Sequence, residues 1–222
     1  MASALALVTG QPVEAVARFL QEPARDRALQ EHIPETVKAS GFRSGSDPIP
    51  RFGKRLGWYA LARCLKPSVI VETGVDKGLG SVLLCSALLR NLEEGYPGQY
   101  YGTDIDRQAG YLLRGRYASV GKILYGDSIE SLRAMTDVID LFVNDSDHSA
   151  DYELAEYRTI AEKLSERSII IGDNAHCCDS LWKFSLESNR EFLFFAEEPA
   201  DHWYPGGGLA ICFKLHRSLR SQ

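Results

Sequence analysis

The stretch Val69–Leu84, VIVETGVDKGLGSVLL, constrains the fold of this chain more tightly than any other. An apolar, β-branched run ends in Glu72 and Thr73, glycines follow at Gly74, Gly78 and Gly80, and a helical apolar pattern begins at Val82. Branching at Cβ favours an extended backbone. Glycines permit a tight turn, and the helix after it directs its first backbone N–H groups at whatever lies beyond the strand. A buried strand, a glycine turn and a helix start form the first crossover of an α/β sheet.

The alternation continues downstream. Strand Ser68–Thr73 leads to helix Leu79–Leu92, strand Gln99–Asp104 to helix Arg107–Tyr117, and strand Lys122–Tyr125 to the short helix Ser128–Met135. Strand Val138–Asp145 leads to helix Ser149–Leu164, and strand Ser168–Asp173 to helix Ser180–Asn189. Two last strands, Phe192–Ala196 and Leu209–Leu215, are joined by a loop without helical spacing and read as an antiparallel C-terminal hairpin. The pattern predicts an α/β fold with a Rossmann-like, seven-stranded, mostly parallel, doubly wound sheet.

Ahead of this alternation, apolar spacing predicts a helix over Pro12–Gln21, broken by Pro23, and a second over Arg25–Ser40 with Leu29, Ile33 and Val37 on one face. Gly41–Pro50 reads as loop. Residues 1–50 are expected as an N-terminal helical extension, a lid or an oligomer contact through which two copies could pair, and 51–222 as the main domain. A helix over Arg51–Leu65 opens that domain, with Phe52, Trp58 and Tyr59 expected in the core and Arg51, Lys54 and Arg55 on a solvated face.

A length of 222 residues with 45% hydrophobic content supports a sizeable core. The net charge is −5 and the chain has no polybasic run, which argues against a nucleic-acid partner. No apolar run approaches the roughly 18 residues of a membrane span. The opening MASALALVTG lacks a basic n-region, so the expectation is a soluble, cytoplasmic protein without membrane contact. The five cysteines show no zinc or CxxC spacing and read as reduced thiols.

Ligands of open parallel sheets sit beyond the carboxyl ends of the strands. Acids gather there: Glu72 after the first strand, Asp104 and Asp106 after the second, Asp145 and Asp147 with His148 after the fourth, and Asp173 with Asn174 and His176 after the fifth. Asp104 either accepts both hydroxyls of a ribose or caps the next helix. Asp76 stands where a dinucleotide loop would carry its second glycine, and a carboxylate there repels a pyrophosphate. It suits a cationic ligand without phosphates.

From Pro50 to Lys214 the chain resembles the class I S-adenosylmethionine-dependent methyltransferases. VETGVDKGLG is similar to their glycine motif, YGTDID to their ribose-binding acidic motif and YGDSIESL to their adenine-side motif. IDLFVNDSDHSADYE resembles the fourth strand of the small O-methyltransferase branch. The resemblance implies S-adenosylmethionine as cofactor, held by Glu72, Thr73, Gly74, Gly78, Ser81, Asp104, Asp127, Ser128 and Asp145. It implies methyl transfer to a hydroxyl of a small molecule of natural-product, sugar or phenol type. The chain departs from the pattern at Asp76, where a glycine is common, and at Asn144-Asp145-Ser146, where the family has a hydrophobic residue, Asp and Gly.

In a doubly wound order the fourth and fifth strands are neighbours, about 4.8 Å apart. Their ends would bring Asp145, Asp173 and Asn174 together, and such hard oxygen ligands suit Mg²⁺. The set is also similar to the metal site of catechol-type O-methyltransferases; the other reading is a helix cap and a turn residue. The catalytic expectation is Asp145 with His148, the imidazole taking the acceptor proton. His176 is the rival base. His202, Trp203 and Tyr204 either wall an acceptor pocket or plug an edge. The alternatives are metal-independent carboxyl or amine methylation, a nucleotide-dependent oxidoreductase at the same glycine junction, and a cofactor binder without turnover.

Overall fold

β1 (Val69–Thr73) lies third in a seven-stranded sheet, and each of its five residues is buried. It pairs in parallel with β2 (Gln99–Asp104) on one side and β4 (Ile139–Asn144) on the other. β3 (Gly121–Tyr125) extends the sheet beyond β2, and β5 (Leu164–Asp173) beyond β4, both in parallel. β7 (Gly208–Phe213) then runs antiparallel between β5 and β6 (Glu191–Ala196), which gives the order β3-β2-β1-β4-β5-β7-β6. The computed structural model describes residues 1–41, 50–173, 175–197 and 207–215.

Alternate residues of each central strand serve opposite faces of the sheet. Ile70, Leu141, Val143 and Ile171 pack towards α4 (Arg55–Leu65) and α5 (Leu79–Glu93). On that same side, α1 (Ala2–Thr9), α2 (Val13–Arg25) and α3 (Arg27–Ala39) add Leu5, Val16, Leu29 and Ile33 to one continuous core. Val71, Phe142 and Ile170 face α6 (Ser128–Ala134), α7 (Ala150–Ile160) and α8 (Ser180–Glu187), through Leu132, Tyr157 and Phe184. Glu22 of α2 accepts from Tyr59 Oη at 2.7 Å and Arg63 Nε at 2.9 Å, which fixes the N-terminal helices to α4. Among the described residues, no helix is long and apolar enough to cross a membrane.

Several boundaries differ from the sequence expectation. The opening residues form α1. Pro23 does not stop the second helix: it sits in the last turn of α2, and the break falls at Asp26, whose side chain accepts from Leu29 N to cap α3. The expected helix over Arg107–Tyr117 is absent. Turns and a 3₁₀ segment, Gly115–Ser119, replace it, because Gly110 and Gly115 both take positive φ. Gly110 also packs so closely that an added Cβ would lie 2.7 Å from Ile123. The helix expected from Arg51 starts at Arg55, after a turn at Gly53 with φ of +52°.

Candidate active site

Beyond the carboxyl ends of β1 to β4 lies a cavity of about 950 Å³. Gly74, Asp104, Asp127, Ser128, Asp145 and His148 line it, six of the residues singled out from the sequence. A neighbouring cavity of about 250 Å³ is lined by Glu72 and shares Arg55, Asp76, Lys77 and Tyr111 with the first. Thr73, Gly78, Ser81 and Asp173 line neither of these two cavities; Thr73, Ser81 and Asp173 are buried behind the walls.

The glycine loop is shaped by strand ends on both sides. Gly74 N donates to Thr103 O at 2.9 Å, and Asp145 N donates to Thr73 O at 2.8 Å. Gly74 has a φ of +76°, and a Cβ there would fall 2.1 Å from Asp145 O, so only glycine lets β1 and β4 end side by side. Asp104 Oδ2 accepts from Val75 N and Asp76 N, both at 3.1 Å, and Oδ1 accepts from Asp106 N at 2.9 Å. Asp104 therefore fixes the loop while lining the cavity, and no α-helix follows for it to cap. Asp127 does cap a helix: Oδ1 accepts from Glu130 N at 2.9 Å, while Oδ2 accepts from Tyr152 Oη at 3.1 Å.

Sequence reasoning missed Glu156. This α7 carboxylate is fully buried and accepts from Thr73 Oγ1 at 3.3 Å, Ser146 Oγ at 2.7 Å, Asn144 Nδ2 and Ser128 Oγ. It ties together the ends of β1 and β4 and the start of α6 beneath the cavity. Asn144 and Ser146 are two of the departures from the family pattern, so the signal was present: two polar residues at a strand end imply a buried polar partner. Burial holds Glu156 above the ordinary carboxylate range, against the four donors that pull it down. Glu72 forms a second buried site, accepting from Tyr100 Oη at 2.5 Å and Ser81 Oγ at 3.4 Å. Burial lifts it to about 7.

The structure brings Asp145 and Asp173 together, as strand order predicts. Their surroundings differ from the expectation. Lys54 and Arg55 do not sit on a solvated face: Lys54 is 7% exposed, with Nζ 2.8 Å from Asp173 Oδ2, and Arg55 Nη2 donates to Asp145 Oδ2 at 3.1 Å. The Gly53 turn, anchored by buried Phe52, directs both inward. Burial and the facing Asp173 push Asp145 well above the ordinary carboxylate range, against the pull of Arg55. Asp173 Oδ1 is buried without a hydrogen-bond partner, the kind of oxygen a metal could take. The rest of the set does not fit a divalent ion. Each carboxylate already carries a cationic partner. Among the described residues, no group of three or more His, Cys, Asp or Glu is arranged to hold a metal. Asn174, the third expected ligand, and the aromatic trio His202, Trp203 and Tyr204 lie outside the described residues.

His148 is partly exposed at the cavity, and its Nδ1 lies 3.7 Å from Oε1 of buried Glu153. A carboxylate beside one ring nitrogen orients an imidazole. His176, the rival, has Nε2 3.5 Å from Cys177 Sγ and does not line the cavity.

Residues 71–175 match a family model described as a methyltransferase domain. Solved structures agree. An O-methyltransferase from Bacillus cereus in complex with S-adenosylhomocysteine (SAH) superposes with a TM-score of 0.62 at 15% identity, over 83% of this chain and 91% of that one. The SAH-bound methyltransferase PaMTH1 of Podospora anserina gives 0.59 at 17% identity, over 90% and 94%. The O-methyltransferase TomG of Streptomyces achromogenes, involved in tomaymycin synthesis and solved with S-adenosylmethionine, gives 0.57 at 16%, over 91% and 90%. No curated protein sequence matches. These identities speak for the fold, which is Rossmann-like, and residues 71–175 are similar to a methyltransferase domain.

Proposed function

We propose that this protein transfers the methyl group of S-adenosylmethionine to a hydroxyl of a small molecule. One observation carries the reading: a single cavity of about 950 Å³ presents Asp104 and the glycine loop together with Asp145 and His148. Asp104 and Asp127 suit the nucleoside part of such a cofactor, and the acids around the loop suit its sulfonium charge. SAH and S-adenosylmethionine in the related folds support the same cofactor.

The reaction is a direct displacement. The acceptor oxygen donates a lone pair to the methyl carbon as the carbon–sulfur bond breaks, and that bonding pair returns to sulfur, leaving neutral SAH. The acceptor's proton passes to His148, held by Glu153 at 3.7 Å, and then to solvent. Catalysis rests on placing the oxygen in line with the methyl group. The test has two stages. SAH at about one hundred times its dissociation constant should stabilise the protein by roughly 2.7 kcal/mol, and NAD should not. Labelled S-adenosylmethionine should then mark one member of a panel of phenols, sugars and hydroxylated natural products. His148→Ala should slow that transfer about a hundredfold or more while keeping the SAH shift. Stabilisation by NAD in place of SAH would sink the proposal.

A further inference from the structure

We infer that Lys54 and Arg55 take the place of a divalent ion at the paired carboxylates Asp145 and Asp173, so that the acceptor end of the site works with cations supplied by the chain. The inference rests on the methyl-transfer reading and specifies how that site is built. Strand order brings two carboxylates to the ends of β4 and β5, a juxtaposition that nearby positive charge relieves. The turn at Gly53 supplies that charge with two consecutive cationic residues. Lys54 Nζ lies 2.8 Å from Asp173 Oδ2, with both side chains under 10% exposed. Arg55 Nη2 lies 3.1 Å from Asp145 Oδ2.

The two cations differ in what they can do. The Lys54–Asp173 pair is buried and serves the framework. Arg55 is partly exposed, lines both cavities, and is the one that can meet a ligand. Its guanidinium lies over the buried Trp58 ring, 5.1 Å from the centroid, which fixes its plane. Asp145, Asp173 and Glu72 are the acids that act on it. A guanidinium has five donors and Asp145 uses one terminal nitrogen, so donors remain for an acceptor oxygen or an acidic group beside it. The acceptor class that fits is a hydroxyl compound with an oxygen-rich, electron-withdrawing or anionic neighbour, such as a hydroxy acid or an acidic phenol. Such a compound would be bound by charge-assisted hydrogen bonds.

Manganese alone provides the test, because it needs no acceptor and reads binding apart from turnover. The full chain, stripped with EDTA, is titrated with Mn²⁺, and free Mn²⁺ is followed by its paramagnetic resonance signal. The expected result is a free signal that tracks the total, with no stoichiometric site, in the presence or absence of SAH. Uptake of one ion per chain that Asp173→Asn abolishes would overturn the inference, and uptake that Asp173→Asn leaves intact would place the ion elsewhere and uphold it. Lys54→Met supplies the positive arm. It frees Asp173 and should gain a site for one Mn²⁺ that the double variant Lys54→Met/Asp173→Asn lacks; a folded Lys54→Met chain that takes up none would overturn the substitution of cation for metal. Should Lys54→Met fail to fold, the wild-type titration decides alone. The SAH stabilisation is measured beside it, so loss of the methyl-transfer reading would show separately.

Discussion

Replacing Glu156 by alanine tests whether one buried carboxylate holds the floor of the cavity of about 950 Å³. The side chain accepts from Thr73, Ser128, Asn144 and Ser146. Ser128 keeps Tyr152 Oη at 2.9 Å as a second partner, and Ser146 is within reach of water. Thr73 and Asn144 are fully buried and would be left with donors unpaired. At about 1–3 kcal/mol for each of the two orphaned donors, plus roughly 1 kcal/mol of lost side-chain burial, the loss comes to roughly 3–7 kcal/mol. Relief from burying a charge offsets part of this, which favours the lower end. For a chain of this length the melting temperature should fall by on the order of 10 °C. Glu156→Gln keeps an acceptor oxygen, and the surrounding hydroxyls can turn to accept from its amide, so it should lose less than about 1.5 kcal/mol. Urea denaturation at pH 8 measures both, and SAH titration should show weaker binding for Glu156→Ala, because Asn144 and Ser146 flank Asp145. An alanine variant as stable as the glutamine variant would refute the hub.

Two other perturbations follow from the same geometry. Glu72 has an ordinary value of 4.5 and is held near 7 by burial, so the native state keeps a proton that the unfolded chain gives up. Stability is therefore highest below pH 4.5 as far as this group is concerned, falls as pH rises towards 7, and is level above it. The change is roughly 3 kcal/mol. Glu72→Gln should remove that slope, so its unfolding free energy plotted against pH should diverge from the wild-type curve between 4.5 and 7; parallel curves would contradict the assignment. Gly74→Ala and Gly95→Ala separate crowding from backbone strain. Both have positive φ, but a Cβ at Gly74 meets Asp145 O at 2.1 Å while at Gly95 it meets nothing within 4 Å. Gly95→Ala should cost about 1 kcal/mol and Gly74→Ala more than about 3, as read from denaturation midpoints. Equal costs would show that strain alone decides.

Features set by local chemistry were legible in the sequence. The VIVET strand, its glycine turn and the strand-end acids all come from β-branching, glycine freedom and the tendency of Asp to end strands. Pairing across the sheet then followed from connection rules, which is how Asp145 and Asp173 could be expected side by side. What could not be read depended on partners distant in the chain. Lys54 and Arg55 look like solvent-facing charges until residues 119 and 90 positions away are placed beside them. Glu156 looks like an ordinary helix carboxylate until Thr73, 83 positions away, meets it. The missing helix after Asp106 has a similar cause. Its apolar spacing is helical, but Gly110 is needed for close contact with Ile123 and for a bond from its N–H to Asp76 O at 2.6 Å.

The place of β7 has a consequence for how this protein is made. β6 leaves the ribosome before β7 and, among the described residues, pairs with no other strand. Until β7 arrives, β5 offers an open edge beside buried Ile169, Ile170 and Ile171, and β6 waits as an unpaired ribbon. Both are templates for pairing with another chain. The strand that closes the sheet follows the other six in the chain, so the nascent protein passes through a stage in which the half that carries the cavity is assembled while the opposite edge remains adhesive. That interval, set by translation speed and by capture of β7 between its neighbours, is when aggregation competes with folding.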